Sequence, residues 1–195
     1  PITTTNPTRL GIHANAERLA HYAAICQEQG VVPIVEPEVL MDGEHDIDRC
    51  EEVTEQVLFA VFQALRQYGV TLEHMILKPN MVLPGKDCRT ANPNEIAEAT
   101  IRVFRRAVPA AVPSINFLSG GQSPEEATIN LNAVNQIGGP WKLSLSYGRA
   151  LQQPVLVAWQ GKPENVVAAE IALLKRARLN SLARNGSYKS SMENE

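Results

Sequence analysis

Apolar and polar residues alternate along the chain in two patterns, one with helical spacing and one in short runs of strand length. Each short run is rich in β-branched or aliphatic residues and ends at polar residues, after which a helical pattern begins. The pattern predicts strands over 31–35, 75–77, 115–118 and 143–147. It predicts helices over 15–29, 46–67, 93–108, 124–136 and 166–183, followed by a polar, flexible tail over 185–195.

Two of these helices have clear start signals. Asn92-Pro93 is followed by Glu95, and Ser123 is followed three residues later by Glu126. A small polar residue with a glutamate three positions on forms a capping box, and proline is favoured at the first helical position. The spacing therefore predicts helices that begin at residues 93 and 124.

Strands that alternate with helices predict an α/β fold with a parallel sheet and right-handed crossovers. The polar ends of the predicted strands fall at Glu36, Lys78, Ser119 and Arg149, separated by 42, 41 and 30 residues. A (β/α)8 barrel has roughly 31 residues per unit, and longer loops account for the excess. Four strands are half of a barrel, so either further strands lie outside these residues or a smaller open sheet forms.

Composition and charge narrow the class of protein. Hydrophobic residues make up 44% and charged residues 20% of the 195 residues, and 18 Lys and Arg stand against 21 Asp and Glu. This mildly acidic balance does not predict a nucleic-acid partner, and no apolar run approaches the roughly 20 residues of a membrane span. The three cysteines have no CxxC spacing, which favours reduced thiols in a cytosol-like compartment.

Metal binding is not predicted. The four histidines (His13, His21, His45 and His74) lack the spacing of metal ligands. The acidic stretch 42–46 could hold a divalent ion, but a turn followed by a helix N-terminus explains its acidic residues better.

The most chemically informative residues follow the first two predicted strands. Functional groups of parallel α/β sheets gather where the strands end. Lys78 ends one strand and Glu36 ends the strand before it, with Glu38 two residues further on. A neutral lysine amine attacks carbonyl carbon, and a neighbouring carboxyl group can move the protons of that reaction. The alternatives are a lysine that only reaches solvent, a structural ion pair with Glu36, and a solvated Glu38.

The last two predicted strands end in residues suited to an anion. Ser119-Gly120-Gly121 precedes a helix start, and glycines allow backbone N–H groups to approach a phosphate closely. Ser146, Gly148 and Arg149 follow the next strand. Arginine offers paired donors for phosphate, so the combination is moderately specific, although most Gly-Gly pairs are only turns.

Six blocks of the chain resemble class I fructose-bisphosphate aldolases, in order and with matching spacing. The most specific is LKPNMV at 77–82. The others are VPIVEPE at 32–38, DGEHD at 42–46, LSGGQS at 118–123, INLNA at 129–133 and SYGRAL at 146–151.

This resemblance implies strands five to eight of a TIM barrel. It implies reversible, metal-independent cleavage of fructose 1,6-bisphosphate in glycolysis or gluconeogenesis, with no cofactor. Lys78 matches the lysine that forms a Schiff base, Glu36 the main acid and base, and Glu38 a supporting carboxylate. The phosphate-binding motifs are matched by Ser119, Gly120, Gly121, Ser146, Gly148 and Arg149.

The family's first four strands are not matched. They would supply an aspartate and further basic residues, so we expect residues 1–195 to be the C-terminal half of one barrel domain with little activity alone. The family often ends in a catalytic tyrosine, whereas this chain ends at Glu195, so that tyrosine is either outside these residues or unused.

The resemblance also implies a homo-oligomer, commonly a tetramer, that acts on a sugar phosphate in the cytoplasm, with the plastid left open. Two other functions remain at this point. One is a non-catalytic half-barrel that binds a phosphosugar or a protein, and the other is a Schiff-base lyase for a different phosphosugar. The sequence leaves fructose 1-phosphate open as a substrate.

Overall fold

The structure, a computed structural model, describes residues 1–88 and 90–195. Within these residues, four parallel strands form one sheet in the order β1-β2-β3-β4, and helices connect them. The strands are β1 (Ile34–Val35), β2 (Ile76–Leu77), β3 (Ser114–Phe117) and β4 (Lys142–Leu145). The helices are α1 (Arg9–Glu28), α2 (Ile47–Gln67), α3 (Pro93–Ala107), α4 (Pro124–Ile137), α5 (Arg149–Trp159) and α6 (Val166–Arg184).

The register of the sheet aligns the ends of β1 and β2, whereas β3 and β4 continue for two further residues. Val35 pairs with Leu77, Leu77 with Ile115, and Ile115 with Leu143. The first three of these side chains are fully buried. Because the strands are parallel, their carboxyl ends lie along one edge of the sheet, and the residues that follow them share that edge. The predicted α/β fold with a parallel sheet is therefore confirmed.

The two capping boxes form as predicted. The Asn92 side chain accepts from the backbone of Glu95, whose carboxylate accepts from the Asn92 N–H at 3.0 Å. Ser123 and Glu126 exchange the same pair of bonds. These bonds satisfy N–H groups that the first helical turn leaves without partners, which explains why both helix starts could be read from sequence.

Helix α1 and strand β1 begin three or more residues away from their predicted starts. Helix α1 begins at Arg9, six residues before the predicted start, because Thr8 caps it and its buried positions are small alanines that give a weak hydrophobic pattern. Strand β1 covers only two of the five predicted residues, since Val31 and Val32 are more than half exposed and lie outside the sheet.

Helix α5 was not predicted from the sequence. It contains Pro154, which lacks an N–H and normally interrupts a helix. The helix begins after the short loop 146–148 that follows β4, and Ala150 is its buried residue. A proline six residues into a helix costs one backbone bond, and α5 packs against α6.

The last residues make specific contacts. Tyr188 is buried, its backbone N–H donates to the Asn132 side chain at 2.9 Å, and its hydroxyl donates to Glu193 at 2.8 Å. A short 3-10 helix follows at Ser190–Asn194. The polar composition of 185–195 predicts a flexible tail. In the structure, residues of this stretch pack against the rest of the protein.

Several large apolar side chains remain exposed at the two flanks of the sheet. Val31, Val32 and Ile34 are 44–57% exposed beside β1. At the other flank, exposed residues on α5 and α6 include Leu156, Val157, Val167, Ile171 and Leu174. In the described part of the chain, none of the helices combines the length and apolarity needed to cross a bilayer.

Candidate functional site

Lys78 and Glu36 lie next to each other because they follow paired residues of neighbouring strands. Val35 and Leu77 pair in the sheet, and the Lys78 N–H donates to the Val35 carbonyl at 2.8 Å. The Lys78 Nζ atom lies 3.1 Å from Glu36 Oε1. The lysine side chain is only 20% exposed, against 45% for the glutamate. The lysine side chain is thus mostly buried, and a carboxylate contacts its amine.

Glu38 lies close to this pair in sequence but does not contact the amine. It is exposed, and within the described residues it makes no ion pair. The loop that carries it is fixed by Asn80, which is buried and accepts from the Val39 N–H at 2.9 Å. The Asn80 amide also donates to the Met81 carbonyl at 3.0 Å. Asn80 therefore holds the loop after β1 against the end of β2.

A cavity of about 560 Å³ lies between this loop and helices α1 and α2. Glu36, Glu38 and apolar residues of both helices line it.

The loops after β1 and β2 are bonded to each other through their backbones. Gly85 N–H donates to the His45 carbonyl at 2.7 Å, and Lys86 N–H donates to the Met41 carbonyl at 2.8 Å. The Lys86 and Asp42 side chains form an ion pair, which lowers the pKa of Asp42. These contacts make one rigid unit of the two loops that flank Lys78 and Glu36.

We expect Gly85→Ala to destabilise the protein. A Cβ atom at this position would lie 2.2 Å from the carbonyl oxygen of Gly43, which is backbone and cannot rotate away. Overpacking of this kind costs about 1–3 kcal/mol. Chemical denaturation would measure it, with Gly11→Ala in helix α1 as the control, since alanine favours a helix and the new Cβ would meet only a side chain, the Thr8 hydroxyl at 3.2 Å. Equal midpoints for Gly85→Ala and the unaltered protein would contradict the close approach.

The stretch 42–46 forms a turn and a helix start, as preferred from the sequence. Gly43 has a φ of 120°, and Asp46 caps α2 by accepting from the Arg49 N–H at 2.8 Å. Burial lowers the pKa of His45. Over the described residues, no group of three or more His, Cys, Asp or Glu side chains is arranged to hold a metal ion.

The loop after β3 contains two adjacent glycines with left-handed backbone conformations. Gly120 and Gly121 have φ values of 58° and 92°, which side chains with a Cβ rarely adopt. Ser119 is buried, and its carbonyl accepts from both the backbone and the side-chain amide of Gln122 at 3.0 Å. The Asn130 amide of α4 donates to the Gln122 side chain at 2.7 Å. The loop is thus bound to the helix that follows it.

Sequence reasoning did not assign roles to Gln122 and Asn130. Both side chains are buried and polar, and both fall inside blocks that resemble the aldolase family, LSGGQS and INLNA. For Asn130, its position on the buried face of the helix that follows the loop was the available signal.

The loop after β4 lies beside the loop after β3. Ser146 N–H donates to the Phe117 carbonyl at 2.8 Å, which extends the pairing of β3 and β4 by one bond. Gly148 caps α5, and Arg149 is its first residue and is exposed. Tyr147, between Ser146 and Gly148, is buried, and its hydroxyl donates to the Ala127 carbonyl of α4 at 2.8 Å. Its burial raises the pKa of Tyr147.

The structure therefore places all nine residues singled out from the sequence along one edge of the sheet. Lys78 and Glu36 lie at the β1–β2 side of this edge, and Ser119, Gly120, Gly121, Ser146, Gly148 and Arg149 lie at the β3–β4 side. Glu38 lies on the same edge without contacting the lysine. An amine on a mostly buried lysine side chain with a carboxylate beside it suits carbonyl chemistry, and glycine-rich backbone with an arginine suits a phosphate.

Comparison with known proteins gives one consistent result. A family model described as "Fructose-bisphosphate aldolase class-I" matches residues 1–195. The chain is 58% identical over 190 residues to cytoplasmic isozyme 2 of fructose-bisphosphate aldolase from Pisum sativum, covering 96% of this chain and 53% of that protein. It is 57% identical over 190 residues to fructose-bisphosphate aldolase B of Gallus gallus, covering 96% and 52%.

A solved structure gives the same result. The structure of fructose-bisphosphate aldolase from Plasmodium falciparum, in complex with TRAP and a small-molecule inhibitor, matches with a TM-score of 0.95 and 53% identity. The match covers 97% of this chain and 56% of that one. The chain thus spans about half the length of the relatives it matches.

Proposed function

Since the chain belongs to the class I fructose-bisphosphate aldolase family, we propose that the protein that contains it cleaves fructose 1,6-bisphosphate through a Schiff base on Lys78. The products are dihydroxyacetone phosphate and glyceraldehyde 3-phosphate, and the reaction is reversible and needs no metal. The observation that carries this proposal is the 3.1 Å contact between the Lys78 amine and the Glu36 carboxylate.

Lys78 supplies the nucleophile. Its neutral amine attacks the C2 carbonyl carbon of the open-chain sugar, and as the carbon–nitrogen bond forms, the carbonyl oxygen takes a proton from the amine and becomes a hydroxyl. Glu36, in its protonated form, donates a proton to the C2 hydroxyl, which leaves as water and yields an iminium ion. The carboxylate then accepts the proton of the C4 hydroxyl as the C3–C4 bond breaks, and the iminium takes up the electron pair.

The second half of the reaction returns both groups to their initial state. Glyceraldehyde 3-phosphate leaves as the aldehyde, and an enamine remains on Lys78. Protonation of this enamine at C3 regenerates the iminium, and water then releases dihydroxyacetone phosphate and the free amine. Glu36 is close enough to Lys78 to relay protons in these steps, and Glu38 supports the charge of this region without touching the amine.

The β3–β4 side of the edge would hold a phosphate of the sugar. Backbone N–H groups at Gly120 and Gly121, the hydroxyls of Ser119 and Ser146, and the Arg149 guanidinium are the donors, with Gly148 leaving space beside them. Binding energy from this remote group fixes the position of C2 relative to the lysine, which is how non-reacting parts of a substrate accelerate chemistry.

The proposed fold is the C-terminal half of a single (β/α)8 barrel domain, in which β1 to β4 are strands five to eight. Two features support it. The outer edges of β1 and β4 have no strand partner within the described residues, and exposed apolar side chains flank both. The chain also covers about half of its relatives. Four further strands would pair with both edges and bury these side chains.

The other half would complete the catalytic edge with an aspartate and further basic residues. We propose a homo-oligomer, commonly a tetramer in this family, that acts in glycolysis or gluconeogenesis. A cytoplasmic location is supported by similar proteins named as cytoplasmic or cytosolic isozymes.

Borohydride trapping tests the proposed function. Dihydroxyacetone phosphate and borohydride should add one reduced substrate to the native protein, and peptide mapping should place it on Lys78. Lys78→Ala should abolish the adduct, and Lys86→Ala, which removes a lysine from the neighbouring loop, should leave it unchanged. Full labelling of Lys78→Ala would overturn the assignment. Phosphate binding without any adduct would instead favour a non-catalytic binding module.

Arg149→Ala should weaken phosphate binding. Loss of a hydrogen bond from a charged donor costs about 1.5–3 kcal/mol, so the KM for the bisphosphate should rise about tenfold or more. Steady-state kinetics and competition by inorganic phosphate would measure the effect, with Arg178→Ala as a control that removes an exposed arginine from α6. An unchanged KM and inhibitor affinity would remove Arg149 from the site.

A further inference from the structure

Arg176 is a charged side chain in the interior of the protein. It lies on α6 with only 3% of its surface exposed. Its Nη1 atom lies 2.6 Å from the Glu193 carboxylate and 4.0 Å from that of Glu125. A buried guanidinium without a carboxylate is strongly unfavourable. Glu193, which belongs to the last residues of the chain, therefore neutralises Arg176.

The other end of the guanidinium contacts the first turn of α4. Arg176 Nη2 donates to the Pro124 carbonyl at 3.0 Å and to the Thr128 hydroxyl. Thr128 also bonds to the Pro124 carbonyl at 2.7 Å and to Asn180 of α6 at 3.0 Å. Arg176 thus connects the end of the chain to the start of α4.

The start of α4 is where both proposed phosphate loops are attached. The loop 119–122 leads directly into the Ser123 cap, and Asn130 of α4 holds Gln122. Tyr147, in the loop after β4, donates to the Ala127 carbonyl in the same helical turn as Arg176's contacts. A shift of this turn would therefore move donors on both sides of the phosphate.

We propose that Arg176 is a positioning residue, which uses the docked C-terminal segment 188–193 to hold the phosphate-binding loops in place through the first turn of α4. The proposal rests on the function proposed above. Glu193 and Tyr188 complete the arrangement, since the tyrosine hydroxyl donates to the oxygen of Glu193 that does not face Arg176. Undocking this segment lowers affinity for phosphate although none of its residues touches the ligand.

Glu193→Gln is the main test, because it removes the charge but keeps a side chain of the same size. Arg176→Lys is the second variant, since it keeps the charge and loses the bond geometry. The matched control is Arg178→Gln, which breaks an exposed ion pair of 3.2 Å between the same helix and Glu195, two residues beyond this segment. Exposed pairs of this kind contribute little.

Two measurements on the native protein distinguish positioning from a structural role. The first is affinity for inorganic phosphate, together with kcat and KM for fructose 1,6-bisphosphate, well below the unfolding temperature. The second is amide hydrogen exchange over 119–128. We expect Glu193→Gln and Arg176→Lys to weaken phosphate binding on the order of 3- to 10-fold and to speed exchange in this stretch, and Arg178→Gln to change neither.

A lower unfolding temperature for Glu193→Gln, with phosphate affinity and exchange over 119–128 unchanged, would overturn the proposal. Arg149→Ala separates this failure from failure of the proposed function. If Arg149→Ala weakens phosphate binding and Glu193→Gln does not, the site stands and the positioning role is wrong. If neither weakens it, the phosphate site itself is wrong.

Discussion

Purified residues 1–195 are expected to have on the order of one thousandth or less of the lyase activity of the whole protein, since catalytic groups that act as a unit lose most of their effect together. The chain provides Lys78, Glu36 and the loops that we propose bind one phosphate, but within the described residues no second lysine forms an ion pair with Glu36. In the proposed barrel, the other half would supply an aspartate and further basic residues.

The isolated chain should also fold poorly or form oligomers and aggregates with other copies of itself. Its sheet has two unpaired edges within the described residues, and the apolar side chains beside them are exposed. Unpaired edges with apolar flanks promote pairing with other chains. Size-exclusion chromatography and the cleavage assay on the same sample would measure both properties.

Co-expression with an N-terminal half from a close relative is the appropriate control. If the two halves associate, activity should return, and with it the adduct on Lys78. Turnover by residues 1–195 alone at the rate of an intact aldolase would show that the remaining half of the barrel is not required, and the proposed fold would have to be abandoned.

Much of the fold could be read from local signals. The capping boxes at Asn92 and Ser123 identify two helix starts to the residue, because capping depends on side chains within one turn. The contact between Lys78 and Glu36 also follows from sequence, because residues that end neighbouring parallel strands must be close. The catalytic roles of these residues stay predictions.

The features that were missed depend on tertiary packing. Helix α5 was not predicted because Pro154 interrupts the helical pattern of the sequence. Arg176 gives no signal in the stretch Lys175-Arg176-Ala177-Arg178, where three basic residues look alike. Only the fold shows that Arg176 is buried while Arg178 is exposed, since the difference arises from the docking of residues 188–193.

Glu36→Gln should reduce kcat by about 10²- to 10⁴-fold, the usual contribution of a general acid or base. Glutamine keeps the size of the side chain and can still bond to the Lys78 amine, but it can neither donate nor accept the proton that each step moves. The KM should change little, because the phosphate donors lie at the other side of the edge and are not altered.

Glu38→Gln is the matched control for this prediction. Glu38 is an exposed carboxylate two residues away that does not contact the amine, so the same chemical change should have a much smaller effect on kcat. Single-turnover trapping adds a second measurement, since Glu36→Gln should slow formation of the reducible adduct on Lys78 while Glu38→Gln should not. Equal losses in the two variants would point to a general effect of negative charge on the lysine. A group other than Glu36 would then have to transfer the protons. In the proposed barrel, that group would lie in the other half.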